Sequence, residues 1–165
     1  MGAGKTTVGQ ELARRLNWRF HDLDDLIQAT EGTSIEQIFQ QHGEKAFREV
    51  ERRILASALT NHSSALVLAL GGGAFVDVEN QRLLSSSGVA AVFLEAPVEE
   101  LFERSQQPEA VRPLRRSRDQ FCALYEKRRP EYEKAAIRVQ TSGKKIGAVA
   151  EEIIQALKLN PGEGD

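Results

Sequence analysis

Gly2-Ala3-Gly4-Lys5-Thr6-Thr7, followed at once by Val8, Leu12, Ala13 and Leu16 at helical spacing, decides how the rest of this 165-residue chain is read. Glycines let a backbone curl so that its N–H groups point inward at the positive end of a helix, where they meet phosphate oxygens. A lysine at the helix start reaches the outer phosphates, and the next hydroxyl can ligate Mg²⁺. Gly2, Ala3, Gly4, Lys5, Thr6 and Thr7 are therefore candidate nucleotide-phosphate residues, with Lys5 catalytic and Thr6 a metal ligand. A glycine-rich turn carrying a surface lysine is the plainer alternative, but it does not account for the immediate helix. The full pattern Gly-x-x-x-x-Gly-Lys-[Ser/Thr] has its first glycine two residues before Met1, after a strand. The sequence contains neither, and the expectation is an internal methionine taken as a start, or a fragment.

Composition narrows the class. The length suits one domain over residues 1–159, with a disordered tail at 160–165. Hydrophobic residues at 41% and charged residues at 28% match a soluble globular protein. A net charge of −2 gives no global reason to expect nucleic acid or an anionic membrane as partner. No apolar run is long enough to span a bilayer. The lone Cys122 excludes an internal disulfide and is compatible with the cytoplasm.

Along the chain, short apolar runs alternate with helical patterns. Trp18 to His21 alternates like a strand and delivers Asp22 at its end. Thr33-Ser34-Ile35-Glu36 has capping-box spacing and opens a helix that stops near Gly43. A longer helix covers Glu44 to Leu59. Ala65 to Leu70 and Val89 to Leu94 are apolar throughout, as in strands buried on both faces of a parallel sheet. Helices are predicted over Glu79–Leu84, from Pro97 through Phe102, and over Asp119–Lys127, with Pro130 interrupting. A last strand at Ile137–Val139 and a helix from Ile146 to Leu157 complete the pattern. Residues 106–118 read as a polar loop. This alternation predicts an α/β fold with right-handed crossovers and a ligand site at the carboxyl ends of the strands.

Several candidate polar clusters sit at the predicted strand ends or beyond them. Asp22 and Asp24, two apart, can serve a metal and a hydroxyl, although aspartate there is also a favoured helix cap. Arg48, with Glu51 three residues on, is either a surface ion pair or a guanidinium fork held for a substrate carboxylate. Gly71-Gly72-Gly73 strips side chains from a cavity wall. Arg112-Pro113-Leu114 and Lys127-Arg128-Arg129-Pro130 are candidate anion contacts, or solvated charge runs.

Taken in order, Gly-Ala-Gly-Lys-Thr-Thr, Phe20-x-Asp22-x-Asp24, Gly43-Glu44-x-x-Phe47-Arg48-x-x-Glu51, Ala69-Leu70-Gly71-Gly72-Gly73, Arg112-Pro113-Leu114 and Arg128-x-Pro130-x-Tyr132 resemble shikimate kinase from the first residue to the C-terminal helix. The resemblance implies a P-loop kinase α/β/α fold whose first, central strand is missing here. It implies Mg²⁺- and ATP-dependent phosphorylation of the shikimate 3-hydroxyl by a cytoplasmic monomer. Carried over by position, Asp22 joins Thr6 at the metal, and Asp24 binds substrate hydroxyls and acts as base. Arg48 and Arg128 clamp the carboxylate beside Gly71, Gly72 and Gly73, and Arg112 is the lid arginine on the ATP phosphates. The Thr141–Lys144 turn resembles the adenine-side loop, while Arg104 to Ala110 departs from the family pattern. A related small-molecule kinase, such as one acting on gluconate, and a non-catalytic or truncated domain are the alternatives. The missing strand predicts a gap between the Ala65–Leu70 and Val89–Leu94 strands.

Overall fold

A computed structural model describes residues 2–61, 65–106 and 117–160. Helix α1 (Lys5–Leu16) begins directly after Gly4, whose φ of 75° places it in the left-handed region. It buries Val8, Leu12, Ala13 and Leu16, the expected stripe, together with Gly9. A Cβ at Gly9 would lie 2.6 Å from the Phe20 ring, so the bare backbone is what allows the helix to sit on the next strand. Asn17 ends α1 at a φ of 58°. The Trp18 N–H still bonds back to the Ala13 carbonyl at 2.9 Å, a helix-terminating bond. That bond is why strand β1 (Arg19–Asp22) starts one residue later than the alternation suggested.

Helix α2 (Leu23–Glu31) follows without a gap. Helix α3 (Ile35–Asn61) is continuous in outline but breaks at Gly43, where φ is 77° and ψ is 177°. The expected stop near Gly43 and restart at Glu44 are thus two helical segments meeting at a kink. The cap differs from the expected one. Ser34 Oγ accepts from the Gln37 N–H at 3.2 Å, and the Gln37 side chain accepts from the Ser34 N–H at 3.2 Å. Ser34, not Thr33, is the capping residue because its hydroxyl sits three residues before a side-chain amide.

Strand β2 (Leu66–Ala69) leads into the glycines, a single 3₁₀ turn (Ala74–Val76) and α4 (Val78–Ser86). Strand β3 (Val92–Glu95) leads into α5 (Val98–Ser105), and β4 (Ile137–Gln140) into α7 (Ile146–Leu157). Helix α6 (Arg118–Tyr132) is longer than expected at both ends. A Ser117–Gln120 capping box opens it, and it runs through Pro130, which lies only two residues from its end. Residues 107–116, including Arg112, and residues 161–165 lie outside the described residues.

The strands form two parallel pairs. β1 aligns with β2 from Arg19↔Leu66 to Asp22↔Ala69, and β3 aligns with β4 from Val92↔Ile137 to Glu95↔Gln140. Among the described residues β2 pairs only with β1, and β3 only with β4. A cavity of about 680 Å³, lined by Val67, Ala69, Leu84, Val92, Leu94 and Trp18 among others, lies where the two half-sheets face each other. The gap expected between those strands is therefore present, and β2, expected to be buried on both faces, is mostly half-buried. Two apolar clusters flank it. One gathers Leu12, Leu16, Leu94, Leu101, Phe121 and Val149; the other gathers Leu23, Ile27, Phe47, Leu55 and Leu84.

Candidate active site

At the mouth of the parallel strands, Asp22 does two jobs. Its Oδ1 accepts the Asp24 N–H at 3.1 Å and caps α2, as aspartate at a strand-to-helix junction is apt to do. Its Oδ2 accepts from the Thr6 hydroxyl at 3.0 Å. Of the two readings of Asp22, cap and candidate metal ligand, the cap is formed, and it leaves the second oxygen to the Thr6 hydroxyl. Thr6 lies in the first turn of α1, so one hydroxyl and one carboxylate oxygen meet beside the helix N-terminus. Among the described residues no group of three or more His, Cys, Asp or Glu could hold a metal alone. A hydroxyl plus one carboxylate instead suits a cation such as Mg²⁺, which keeps its waters and takes its other ligands from phosphates.

The glycine turn forms the opposite wall. A Cβ at Gly71 would stand 2.8 Å from Asp24 Oδ1, and one at Gly73 would stand 2.6 Å from Arg48 Nη2. Bare backbone at these two positions is therefore what lets a carboxylate and a guanidinium approach one turn from two different helices. Asp24 comes from α2 and Arg48 from the second segment of α3. Arg48 is not the solvated surface pair of the plainer reading. Its Nη1 donates to Glu51 Oε2 at 2.7 Å, and Glu51 is 1% exposed. Its guanidinium carbon lies 5.1 Å from the centre of the Phe47 ring, and that ring is itself buried against Leu and Ile of the second cluster. Burial pushes the Glu51 carboxyl above the usual carboxylate range, and the charges of Asp24 and Asp77 add to that rise, while the Arg48 hydrogen bond opposes it.

Helix α6 closes the same wall. The Tyr132 hydroxyl donates to the Gly72 carbonyl. The Gln81 side chain bridges the Phe75 carbonyl at 2.8 Å and Glu131 Oε2 at 2.7 Å. Arg128 lies four residues before Tyr132, and such pairs share a helix face; the face is the one docked on the glycine turn. Its neighbour Arg129 is committed elsewhere, to Glu95 at 3.2 Å and Glu133 at 3.1 Å. On the far side, Arg104 Nη1 donates to Thr141 Oγ1 at 3.3 Å, which ties α5 to the 141–144 turn.

Thr6, Asp22, Asp24, Arg48 and Gly71 to Gly73 thus gather about the strand ends of the β1–β2 half, while Gly2 abuts Leu101 of α5 and Ala3 and Lys5 line the central cavity. Comparison with known proteins bears on what this arrangement belongs to. The family model described as shikimate kinase matches residues 1–158. The chain belongs to the shikimate kinase family. It is 37% identical over 158 residues to a shikimate kinase from Persephonella marina, covering 96% of this chain and 94% of the relative. It is 40% identical to one from Moorella thermoacetica, covering 96% and 90%. Among solved structures, a shikimate kinase from Acinetobacter baumannii in complex with shikimate superposes with a TM-score of 0.86 at 34% identity, covering 96% of this chain and 88% of that one. The enzyme from Aquifex aeolicus gives 0.82 at 35% identity, covering 96% and 92%. The fold is that of the P-loop kinases.

Sequence reasoning missed three contributors. Asn80 and Gln81 sit in the first turn of α4 and reach back under the glycine turn. Nothing in a Glu-Asn-Gln string marks them; only the Asp77 cap, which fixes where the helix starts, hints that their side chains turn inward. Tyr132 was part of a recognised motif but had no assigned task until its bond to Gly72 appeared.

Proposed function

We propose that this chain transfers the terminal phosphoryl group of ATP to the 3-hydroxyl of shikimate. The observation that carries the reading is the glycine turn with Asp24 against Gly71 and Arg48 against Gly73. A carboxylate that can take a proton and a guanidinium that can hold a carboxylate stand on one short wall, which suits a substrate bearing both a hydroxyl and a carboxyl group. Family membership over residues 1–158 supports the same substrate.

In this reading Asp24 orients the hydroxyl and takes its proton. Arg48 binds the substrate carboxylate through paired N–H donors, a geometry lysine cannot supply, and Arg128 assists from α6. Backbone from Gly71 to Gly73 lines the pocket. Gly2, Ala3, Gly4, Lys5, Thr6 and Thr7 hold the ATP phosphates. Thr6 and Asp22 would hold Mg²⁺, whose charge offsets that of the phosphates. Arg112 is assigned to the transferring phosphoryl group. Phosphoryl transfer asks a protein chiefly for positioning and charge stabilisation, and this set meets both demands. The reading has the protein act as a monomer in the cytoplasm, with which the single free thiol of Cys122 is compatible.

The test is ADP formation by the protein, with ATP and Mg²⁺, in the presence and absence of shikimate. Release that depends on shikimate supports the proposal. Equal turnover with gluconate, or none with shikimate, contradicts it.

A further inference from the structure

Asn80 is fully buried in the first turn of α4, and its environment is unusual for a core residue. Its Nδ2 donates to the Ala74 carbonyl at 2.9 Å and reaches Glu51 Oε2 at 3.5 Å. Both facing atoms only accept, so the amide orientation is dictated by its surroundings. The same Glu51 Oε2 receives Arg48 Nη1 at 2.7 Å. One carboxylate oxygen thus gathers the guanidinium from one side and the amide from the other. The Ala74 carbonyl belongs to the 3₁₀ turn that directly follows Gly73, the glycine whose missing side chain makes room for Arg48. Asn80 therefore links both sides of the Arg48 niche: the Glu51 carboxylate behind it and the backbone in front.

The other amide atom makes a packing role a poor explanation. Asn80 Oδ1 is buried with no hydrogen-bond partner among the described residues. An unpaired buried acceptor costs stability, and an apolar side chain of similar volume would avoid that cost. What the apolar side chain could not supply is the NH₂ group.

We propose that Asn80 is a positioning residue for the substrate carboxylate: its NH₂ group fixes the Glu51 carboxylate against the glycine turn, and Glu51 in turn aims Arg48. This role rests on the reading of Arg48 as the carboxylate fork. Asn80 does not touch substrate. Burial already makes the Glu51 carboxylate hard to keep charged, so a second donor beside Arg48 also favours the ionised form that the guanidinium needs.

The isosteric Asn80→Asp variant separates positioning from packing. Its carboxylate form would face two acceptors with nothing to donate, whereas its protonated form regains one donor. Burial and the neighbouring Glu51 charge raise the pKa of the introduced carboxyl, so its protonated form prevails on the acid side. At about pH 8.5 the KM for shikimate should rise about tenfold, equivalent to ~1.4 kcal/mol, with the KM for ATP unchanged. Toward about pH 6 the shikimate KM should fall back to the parent value as the carboxyl protonates. A shikimate KM equal to the parent's at every pH overturns the proposal. So does a parallel rise in both KM values, which would mark a merely structural residue. If Asn80→Asp does not fold, Asn80→Leu, which fills a similar volume and removes the NH₂ donor, takes its place. A selective rise in its shikimate KM supports the role, and an unchanged KM overturns it. The parent is assayed first: a parent without shikimate turnover refutes the functional reading itself, whereas an active parent with indifferent variants refutes only the role of Asn80.

Discussion

Gly73→Ala should leave the fold intact and cripple recognition of the substrate carboxylate. Gly73 has φ −99° and ψ −22°, ordinary right-handed backbone that alanine adopts without strain. The added methyl carbon would stand 2.6 Å from Arg48 Nη2 and 2.9 Å from Nη1, whereas ordinary contact begins at 3.4 Å. The guanidinium must retreat by roughly 0.8 Å, the difference between the first and last of those distances. It cannot retreat freely, because its Nη1 is held by the buried Glu51 at 2.7 Å and its flat face lies over Phe47. Losing well-aligned charge-assisted hydrogen bonds to a carboxylate costs about 1.5–3 kcal/mol, or about 10- to 150-fold in affinity. Stability should move the other way. Replacing glycine where the backbone is compatible contributes about 0.4–1 kcal/mol through the unfolded state. Steady-state kinetics against shikimate and ATP, with thermal denaturation alongside, reads all three quantities. The expected result is a raised shikimate KM, an unchanged ATP KM and a melting temperature at or above the parent's. A shikimate KM within twofold of the parent's would refute the steric argument, and a lower melting temperature would show that Gly73 is needed by the backbone instead.

Asp24→Asn should lower kcat by about 10²–10⁴-fold if Asp24 takes the hydroxyl proton, with ATP binding nearly unchanged in a nucleotide titration; near-normal turnover would reduce Asp24 to a residue of the first turn of α2. Arg48→Ala and Arg128→Ala should each weaken shikimate binding and spare ATP, since no other side chain reproduces a paired guanidinium–carboxylate contact; calorimetric titration of both ligands decides, and a loss confined to ATP reassigns that arginine. The 165-residue chain should unfold broadly and respond weakly to ATP, because among the described residues β2 and β3 each leave one edge facing a cavity of about 680 Å³. Each buried N–H or C=O left unpaired there costs about 1–3 kcal/mol against a total domain stability of only about 5–15 kcal/mol. A sharp thermal transition with a clear upward shift on adding ATP would contradict this.

Much of this architecture is legible in the residues because local chemistry and global fold agree. Gly4 before Lys5 announces a phosphate loop and a helix start together, and the structure uses its left-handed backbone for both. The apolar runs at 65–70 and 89–94 mark strands whatever their partners, although the second strand begins only at Val92 and ends on Glu95. Their pairing is another matter: a run such as Leu66-Val67-Leu68-Ala69 carries no record of how many neighbours it has, so the half-sheets and the cavity between them followed only from knowing what the phosphate loop normally hangs from. Boundaries slipped where caps compete. Ser34 displaced Thr33 because Gln37 answers it, and the Trp18 N–H stayed with α1. Pro130 did not break α6: it removes one backbone bond, and Glu131 and Tyr132 beyond it are held by Gln81 and the Gly72 carbonyl. In the site, Asp22 and Asp24 were visible as types at a strand end, and Arg48 as a type on a helix. Their mutual distances depend on α2, α3 and the turn meeting in space, and so do the tasks of Asn80, Gln81 and Tyr132, each of which reaches its partner through the fold and not along the chain.

The central claim is that one wall holds the substrate carboxylate at Arg48 and presents its hydroxyl to Asp24. The most direct measurement is phosphorus NMR of the product formed by the protein from ATP, Mg²⁺ and shikimate. A single phosphate ester on the 3-hydroxyl, formed in step with ADP, is the predicted result. Phosphate on another hydroxyl, a mixture of esters, or ATP consumed with only inorganic phosphate appearing would contradict it.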